Sequence, residues 1–275
     1  TGTGKTAAFT LPILSMFENT KPASANNVKA LILTPTRALA AQIDENIRYY
    51  GKHLNLKTQV VFGGVGINPQ MIKLRRGVDV LVATPGRLMD LYQQKAVKFS
   101  DLEILVLDEA DRMLDMGFIH DVKRVIKVIP TKRQTLLFSA TMPDAIQKLS
   151  KRILIDPVQV EVTPQSSTVE KIDQSVFLVE RTGKKELLKY ILDDPSIERV
   201  LVYTRPKHRA NNRAKQLTCA PLPSDVNYDD KSQTARYLAH ANFTPGKATI
   251  RIPTSIAARG LAIKYVSHFI NYYVP

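Results

Sequence analysis

Short, solidly apolar runs that alternate with amphipathic stretches predict a doubly wound α/β fold, with parallel sheets flanked by helices. Three observations carry that prediction. The runs are rich in Val, Ile and Leu and lack polar alternation, as expected of parallel strands buried on both faces. Between several of them, apolar residues return at helical spacing. Near the middle of the 275 residues a polar, proline-containing stretch interrupts the pattern, so the chain reads as two domains.

The elements follow in order. The apolar runs of the first part are "KALILTPTR" (29–37), "QVVFGG" (59–64), "DVLVATPGR" (79–87), "EILVLDEAD" (103–111) and "QTLLFSAT" (134–141). Leu39, Ile43, Ile47 and Leu54 share one helical face, as do Ile119, Val122, Ile126 and Ile129. Pro143 sits where a first helical turn accepts proline, ahead of Ile146, Leu149 and Ile153. The stretch "DPVQVEVTPQSSTVE" (156–170) has no helical period and reads as linker-like. The expected organisation is a first domain over 1–160, a linker over 161–172 and a second domain over 173–275. "QSVFLVE" (174–180) and "RVLVYTR" (199–205) are the first strands expected there.

Charge narrows the partner. The net formal charge is +14, the pI is near 9.8, and both halves share the excess. That balance favours a polyanion, nucleic acid above all, although a basic chain can also be basic for solubility alone. The single cysteine, Cys219, excludes an intrachain disulfide and fits a reducing compartment. No stretch of 18 apolar residues could span a bilayer, and no signal-peptide pattern is present, so the cytoplasm is the expected location.

Each apolar run ends in a polar word: Thr-Pro-Thr-Arg, Gly-Gly, Thr-Pro-Gly-Arg, Asp-Glu-Ala-Asp, Ser-Ala-Thr and Thr-Arg. Open α/β sheets bind ligands beyond the carboxyl ends of their strands, so six such words read as the lining of one site. The chain opens on "TGTGKT". Gly2 and Gly4 would let backbone amides turn toward phosphate oxygens, Lys5 would neutralise them and the Thr6 hydroxyl would ligate Mg²⁺. The full pattern G-x-x-x-x-G-K-[ST] starts five positions before Gly4, ahead of Thr1, and the shorter G-x-G-K-T also fits a glycine turn bearing a surface lysine. Asp108, closing the run "ILVL", suits a carboxylate that holds a metal through water, and Glu109 could polarise a water for in-line attack on a γ-phosphate. Two acids there could also cap the next helix; a phosphate loop upstream makes the pair more informative than either motif.

"VLDEADRML", with "TGTGKT", "PTRALA", "TPGRL" and "SAT", resembles the DEAD-box ATP-dependent RNA helicases over essentially the whole chain. "RQTLLFSATMPDAIQKL" and "PQSSTVEKIDQSVFLVE" look closest to the bacterial RhlE subgroup. The resemblance implies two RecA-like P-loop NTPase domains that bind ATP and RNA between them. It implies that Thr1, Gly2, Thr3, Gly4, Lys5 and Thr6 form the phosphate loop, that Thr6 and Asp108 hold Mg²⁺ partly through water, and that Glu109 positions the attacking water. Ser139 and Thr141, with Asp111 as hydrogen-bond partner and nucleotide-site residue, would couple nucleotide state to domain closure. Pro35, Thr36, Arg37, Gly63, Gly64, Thr84, Pro85, Gly86 and Arg87 would grip the RNA backbone without reading bases. In the second domain Thr204, Arg205, Gln233, Arg236, Thr254, Arg259 and Gly260 would join them. A monomer is implied, with ribosome-assembly or RNA-decay complexes as further partners.

Departures from the family pattern qualify that reading. No strand precedes the phosphate loop, so the first sheet is expected to lack a central member, and the chain ends before the segment that supplies the family's arginine finger. The expectation is therefore a piece of the helicase core lacking both ends, with the second domain truncated. Ser255 and Ala262 stand where the family usually has aspartates, and Ala38 replaces a usual Glu. "SDVNYDDKSQ" (224–233) is a poor core strand by composition, and "TIRIP" (249–253) puts Arg251 and Pro253 into an interior strand. The leading functional expectation is ATP-dependent local unwinding of RNA; the alternative is an RNA- or nucleotide-binding clamp without ATP turnover.

Overall fold

The structure is a computed structural model that describes residues 4–161, 173–194, 197, 200–203, 224–226, 250–252 and 266–272. The chain divides into two units, Thr1–Val158 and Gln159–Pro275.

In the first unit helix α1 (Lys5–Phe17) is followed by β1 (Val28–Leu33), α2 (Arg37–Tyr50), β2 (Thr58–Val61), α3 (Ile67–Leu74) and β3 (Val78–Ala83). Then come α4 (Pro85–Gln93), β4 (Ile104–Leu107), α5 (Ala110–Asp115), α6 (Ile119–Val128), β5 (Gln134–Leu137) and α7 (Asp144–Ile153). The five strands pair in parallel in the order β2-β3-β1-β4-β5. Among the described residues the ladder is continuous: β4 hydrogen-bonds directly to β5, and β5 forms a rim.

Period-2 alternation sorts the strand side chains onto two cores. Ala30, Ile32, Val80, Val82, Ile104 and Val106 pack with Phe9, Ile13 and Phe17 of α1 and Leu39, Ile43 and Ile47 of α2. Leu31, Leu33, Leu81, Leu105 and Leu107 face the other way, against residues of α3 to α7 such as Leu74, Leu88, Met113, Val122 and Ile146. The three inner strands are buried along their whole length; β2 and β5 are only partly so, because an edge strand has one neighbour fewer to cover it. Leu54, placed by spacing on the face of α2, lies beyond the helix, which stops at Tyr50 and caps through the Gly51 amide onto Ile47 O at 2.8 Å.

Polar pins fix the amino ends of the strands. Asp79, 1% exposed, accepts from the amides of Ala23 and Lys57, each at 2.8 Å. Lys29, buried inside β1, lays its ammonium over the Phe17 ring at 4.2 Å and donates to Thr20 Oγ1 at 2.6 Å.

The second unit contains α8 (Lys184–Leu192), β6 (Val200–Tyr203), β7 (Ser224–Val226), β8 (Ile250–Ile252) and β9 (His268–Asn271). Its strands are parallel in the order β7-β8-β6-β9, over a small core of Leu188, Leu192, Val200 and Val202. Two of the compositional departures find their place here. The polar Ser-Asp-Val forms β7 at the edge of the described sheet, where a weak strand former is tolerated; residues 227–233 of that stretch lie outside the described residues. Strand β8 (Ile250–Ile252) holds Arg251 between two neighbouring strands, as expected, and Pro253 lies outside the described residues. The strand expected over 174–180 is not formed: residues 173–180 have no regular structure, and Val176, Phe177 and Leu178 are exposed. An apolar run becomes a strand only where a neighbouring backbone takes its hydrogen bonds, and among the described residues none does.

Candidate functional site

Because all five strands of the first sheet run the same way, the five polar words that follow them land on one edge. Backbone bonds set the words side by side. Thr84 N donates to Val61 O at 3.1 Å, Thr34 N to Ala83 O at 3.1 Å, Asp108 N to Leu33 O at 2.9 Å, and Phe138 N to Leu107 O at 2.8 Å. Along the edge the order is therefore Gly63-Gly64, then Thr84 to Arg87, then Pro35 to Arg37, then Asp108-Glu109, then Ser139 to Thr141.

Gly4 caps α1 with φ 75°, a conformation that favours glycine, and nothing stands within 4 Å of where a Cβ would sit. The backbone turn, not crowding, demands the glycine. From it a 13-residue helix starts at once, with Lys5 and Thr6 in its first turn and the Ala8 amide bonded to Gly4 O at 2.9 Å. A helix start offers unpaired amides and a partial positive charge to an anion. Thr1, Gly2 and Thr3 lie outside the described residues.

Asp108 is 4% exposed, and its carboxyl is pushed up to about 6. Burial is the main cause and the neighbouring Glu109 charge adds to it; the Glu109 amide, which donates to Asp108 Oδ1 at 3.0 Å, and the charge of Lys5 act against them. Lys5 and Asp108 thus lie within electrostatic reach. A buried carboxylate raised in this way lacks a compensating cation, and a metal supplied beside it would relieve the cost. The Thr6 hydroxyl and the Asp108 carboxylate make an all-oxygen set with a single carboxylate, and the first-turn amides are left for phosphate oxygens. The set fits Mg²⁺ sharing its coordination with water and phosphate oxygens.

Glu109 has φ 53° and ψ 53°, left-handed backbone that costs a non-glycine residue about 1–2 kcal/mol. Its carboxylate pairs with the Arg112 guanidinium one turn along α5. Sequence reasoning missed Arg112; the i,i+3 spacing was its only signal. Asp111 ties two strand tips together: it accepts from Thr141 N at 3.0 Å and Thr141 Oγ1 at 2.9 Å, while its own amide donates to Ser139 Oγ at 3.1 Å. Burial raises the Asp111 carboxyl, but the bonds from the Thr141 and Ser139 side chains and the Thr141 and Arg112 amides outweigh it, leaving the group below its ordinary value. Thr34, fully buried where β1 meets this side, has a hydroxyl without a hydrogen-bond partner among the described residues.

On the other side two arginines converge on one loop. The Arg37 guanidinium lies against Gly64, which has φ 76°; a Cβ built there would stand 1.9 Å from Arg37 Nη1. Arg87 Nη1 donates to Val65 O at 3.1 Å, and its Nε lies 3.7 Å from Asp90. Thr36 caps α2 by accepting from Leu39 N at 3.2 Å, and Pro85 opens α4 after Thr84. Pro35 and Thr84 are buried, whereas Gly63 and Gly86 are half-buried. In the second unit Thr204, Arg205, Gln233, Arg236, Thr254, Arg259 and Gly260 lie outside the described residues, as do Ser255 and Ala262.

One edge therefore carries a glycine-started helix with Lys5, a buried acid and a pair of arginines on a glycine loop. Residues 1–149 match the model of the DEAD/DEAH box helicases, and residues 183–275 match that of the helicase conserved C-terminal domain. The chain belongs to the DEAD/DEAH box helicase family. Relatives within it include the DEAD-box ATP-dependent RNA helicase CshA of Streptococcus pneumoniae, 38% identical over the whole chain and 52% of the relative's length. RhpA of Helicobacter pylori is 36% identical over the whole chain and 55% of its length. The chain spans about half the length of the curated relatives it matches. Among solved structures, Saccharomyces cerevisiae Dbp5 bound to RNA and ADP BeF3 aligns with a TM-score of 0.76 at 28% identity, over all of this chain and 68% of that one. A DEAD box protein from Methanococcus jannaschii aligns at 0.54 and 32% identity, over all of this chain and 73% of that one. The DEAD/DEAH box helicase fold thus has two RecA-like units of parallel sheet and helix, and no helix among the described residues is long and apolar enough to cross a membrane.

Proposed function

We propose that this chain acts as the core of an ATP-dependent RNA helicase, binding single-stranded RNA by its backbone and coupling ATP hydrolysis to local duplex unwinding. The observation that carries the reading is the division of one strand-tip edge: Arg37, Arg87 and Gly64 on β1, β3 and the loop after β2, with Asp108, Glu109 and the Asp111–Thr141 link on β4 and β5. Arginines and open glycine amides suit phosphates in any sequence. The α1 amino terminus and Lys5 suit the β- and γ-phosphates of ATP.

Thr6 and Asp108 would hold Mg²⁺, which would supply charge neutralisation of the triphosphate. Glu109 orients a water by accepting its proton at the carboxylate, whose Oε2 pairs with Arg112. Asp111 carries the state of the β4 tip to the β5 tip through the Thr141 amide and hydroxyl. Catalysis of this kind is positioning and charge stabilisation, without a covalent intermediate. In the second unit Thr204, Arg205, Gln233, Arg236, Thr254, Arg259 and Gly260 are assigned to RNA by resemblance. Kinship with the RhlE subgroup rests on "RQTLLFSATMPDAIQKL", cytoplasmic location on the absence of a candidate span, and partnership with ribosome-assembly or RNA-decay complexes on the family alone. Domain limits of 1–160, 161–172 and 173–275, and a monomeric state, belong to the same reading.

The test is ATP hydrolysis with and without single-stranded RNA, in the wild type and in Glu109→Gln. RNA-stimulated turnover that disappears in the variant supports the helicase reading. RNA retention with no turnover in either protein supports a clamp instead, a reading to which Ser255 and Ala262 lend weight because they remove carboxylates at family positions.

A further inference from the structure

The opposite edge of the first sheet has its own chemistry. From Glu45 to Asp79 no acidic residue occurs, while Arg48, Lys52, Lys57, Lys73, Arg75 and Arg76 fall between them. The fold gathers this interval at one corner. Helices α2 and α3 both run back from the strand tips, so their carboxyl ends arrive where β2 and β3 begin. Lys57 Nζ donates to Arg76 O at 3.2 Å, and Arg48 Nη2 to Thr58 O at 3.4 Å, which ties the ends of both helices to the start of β2.

Arg48 is engaged by Asp44 at 2.8 Å. Lys52, Lys57, Lys73, Arg75 and Arg76 are exposed, and among the described residues none of them pairs with a carboxylate. Of the two acids that bound the interval, Asp79 is buried and already bonded to two backbone amides, and Glu45 is exposed on α2. A surface made basic for solubility mixes its cations with acids; between Glu45 and Asp79 this one has none. Beside the cations stands Tyr49, 71% exposed at the end of α2, with its ring edge-on to Tyr50 at 5.8 Å. Exposed aromatic faces among cations suit unpaired bases stacked along a phosphate backbone.

We propose that this corner is a second docking surface for single-stranded RNA, separated from the strand-tip site by the length of the sheet, about 20 Å for a six-residue strand. It rests on the proposed function only for the identity of the polyanion. An RNA long enough to leave the strand-tip site and pass round the β2 edge would be held at both ends of the sheet, and a short one at a single end. The second contact raises affinity by raising local concentration, without altering the first.

The experiment measures binding of the full chain to RNAs of about 5 and about 30 nucleotides across a salt series. The wild type is compared with a variant carrying Lys52→Gln, Lys57→Gln, Arg75→Gln and Arg76→Gln. The expected result is unchanged affinity for the short RNA and on the order of tenfold weaker binding of the long one, with the salt slope reduced by about 2–3. Unchanged long-RNA binding overturns the proposal, and so does a variant that loses polyglutamate binding while keeping RNA, which would mark an acidic protein partner. A photo-crosslinker in place of Tyr49, in an otherwise wild-type chain, covers the case in which the fourfold variant misfolds: it should capture long RNA, and no capture overturns the proposal. None of these readouts uses ATP, so a chain without RNA-stimulated turnover would defeat the helicase reading while leaving this inference to its own result.

Discussion

Two halves of one sheet edge handle charge in opposite ways. On the β2, β3 and β1 side, cations are held half-buried, Arg37 against Gly64 and Arg87 on the Val65 carbonyl with the Asp90 carboxylate 3.7 Å from its Nε. On the β4 and β5 side, acids are drawn inward: Asp108 is buried and held up to about 6, and Glu109 sits on strained backbone. The difference teaches what each half awaits. Arginines resting against carbonyl oxygen and glycine can exchange those contacts for phosphate, whereas a buried, under-compensated carboxylate is stabilised when a cation arrives.

The sharpest way to break the comparison is Asp108→Asn. A carboxyl raised from 3.8 to about 6 favours the fold while protonated, so its contribution is fully present below pH about 4 and is lost as pH rises through about 6. At pH 7 the ligand-free variant should therefore be more stable than wild type by up to about 3 kcal/mol, read as a higher midpoint in thermal or urea unfolding. The same variant should lose Mg²⁺-dependent nucleotide affinity by on the order of tenfold or more. Wild-type affinity should also fall as pH drops below about 6, where the proton competes with the metal. A variant less stable than wild type at pH 7 would remove the contrast between the halves.

Gly64→Ala probes the arginine side. At φ 76° the new Cβ strains the backbone and collides with the Arg37 guanidinium, so about 1–2 kcal/mol of stability should be lost. RNA affinity should drop several-fold while nucleotide affinity stays put, as separate titrations would reveal. If both affinities fell together, the edge would act as one unit.

Thr141→Val separates two acids on the same side. Asp111, held below its ordinary value, stabilises the fold above that range and loses its contribution as pH falls, the opposite slope to Asp108. Removing the Thr141 hydroxyl should cost about 1 kcal/mol at pH 7 and flatten the loss of stability on acidification below pH about 4. Smallest of all, Arg87→Ala should cost a few tenths to about 1 kcal/mol through the Val65 contact, while weakening RNA binding at low salt more than at high salt.

The strands of the first unit were legible because a buried parallel strand advertises itself as an unbroken run of Val, Ile and Leu. Legible too were the chemistry-bearing words, each fixed by its place at a strand end. Arg112 was not, since an ion pair one helical turn away leaves no more than a spacing. The run at 174–180 misled for a related reason: "QSVFLVE" has strand composition, but composition does not provide a partner backbone. The unbroken ladder from β4 to β5 likewise could not be read from a count of strands.

By itself the sequence determined the element types, the glycine turn into α1 and which residue types stand at each strand tip, because these follow from local backbone preference and hydrophobic period. Only the tertiary structure decided that β1 lies between β3 and β4. That order sets Arg37 beside Gly64, joins Asp111 to Thr141 and buries Asp108 within reach of Lys5. Strand order and burial arise from contacts between residues distant in the chain, and the resulting fields and close approaches exist only once those contacts are made.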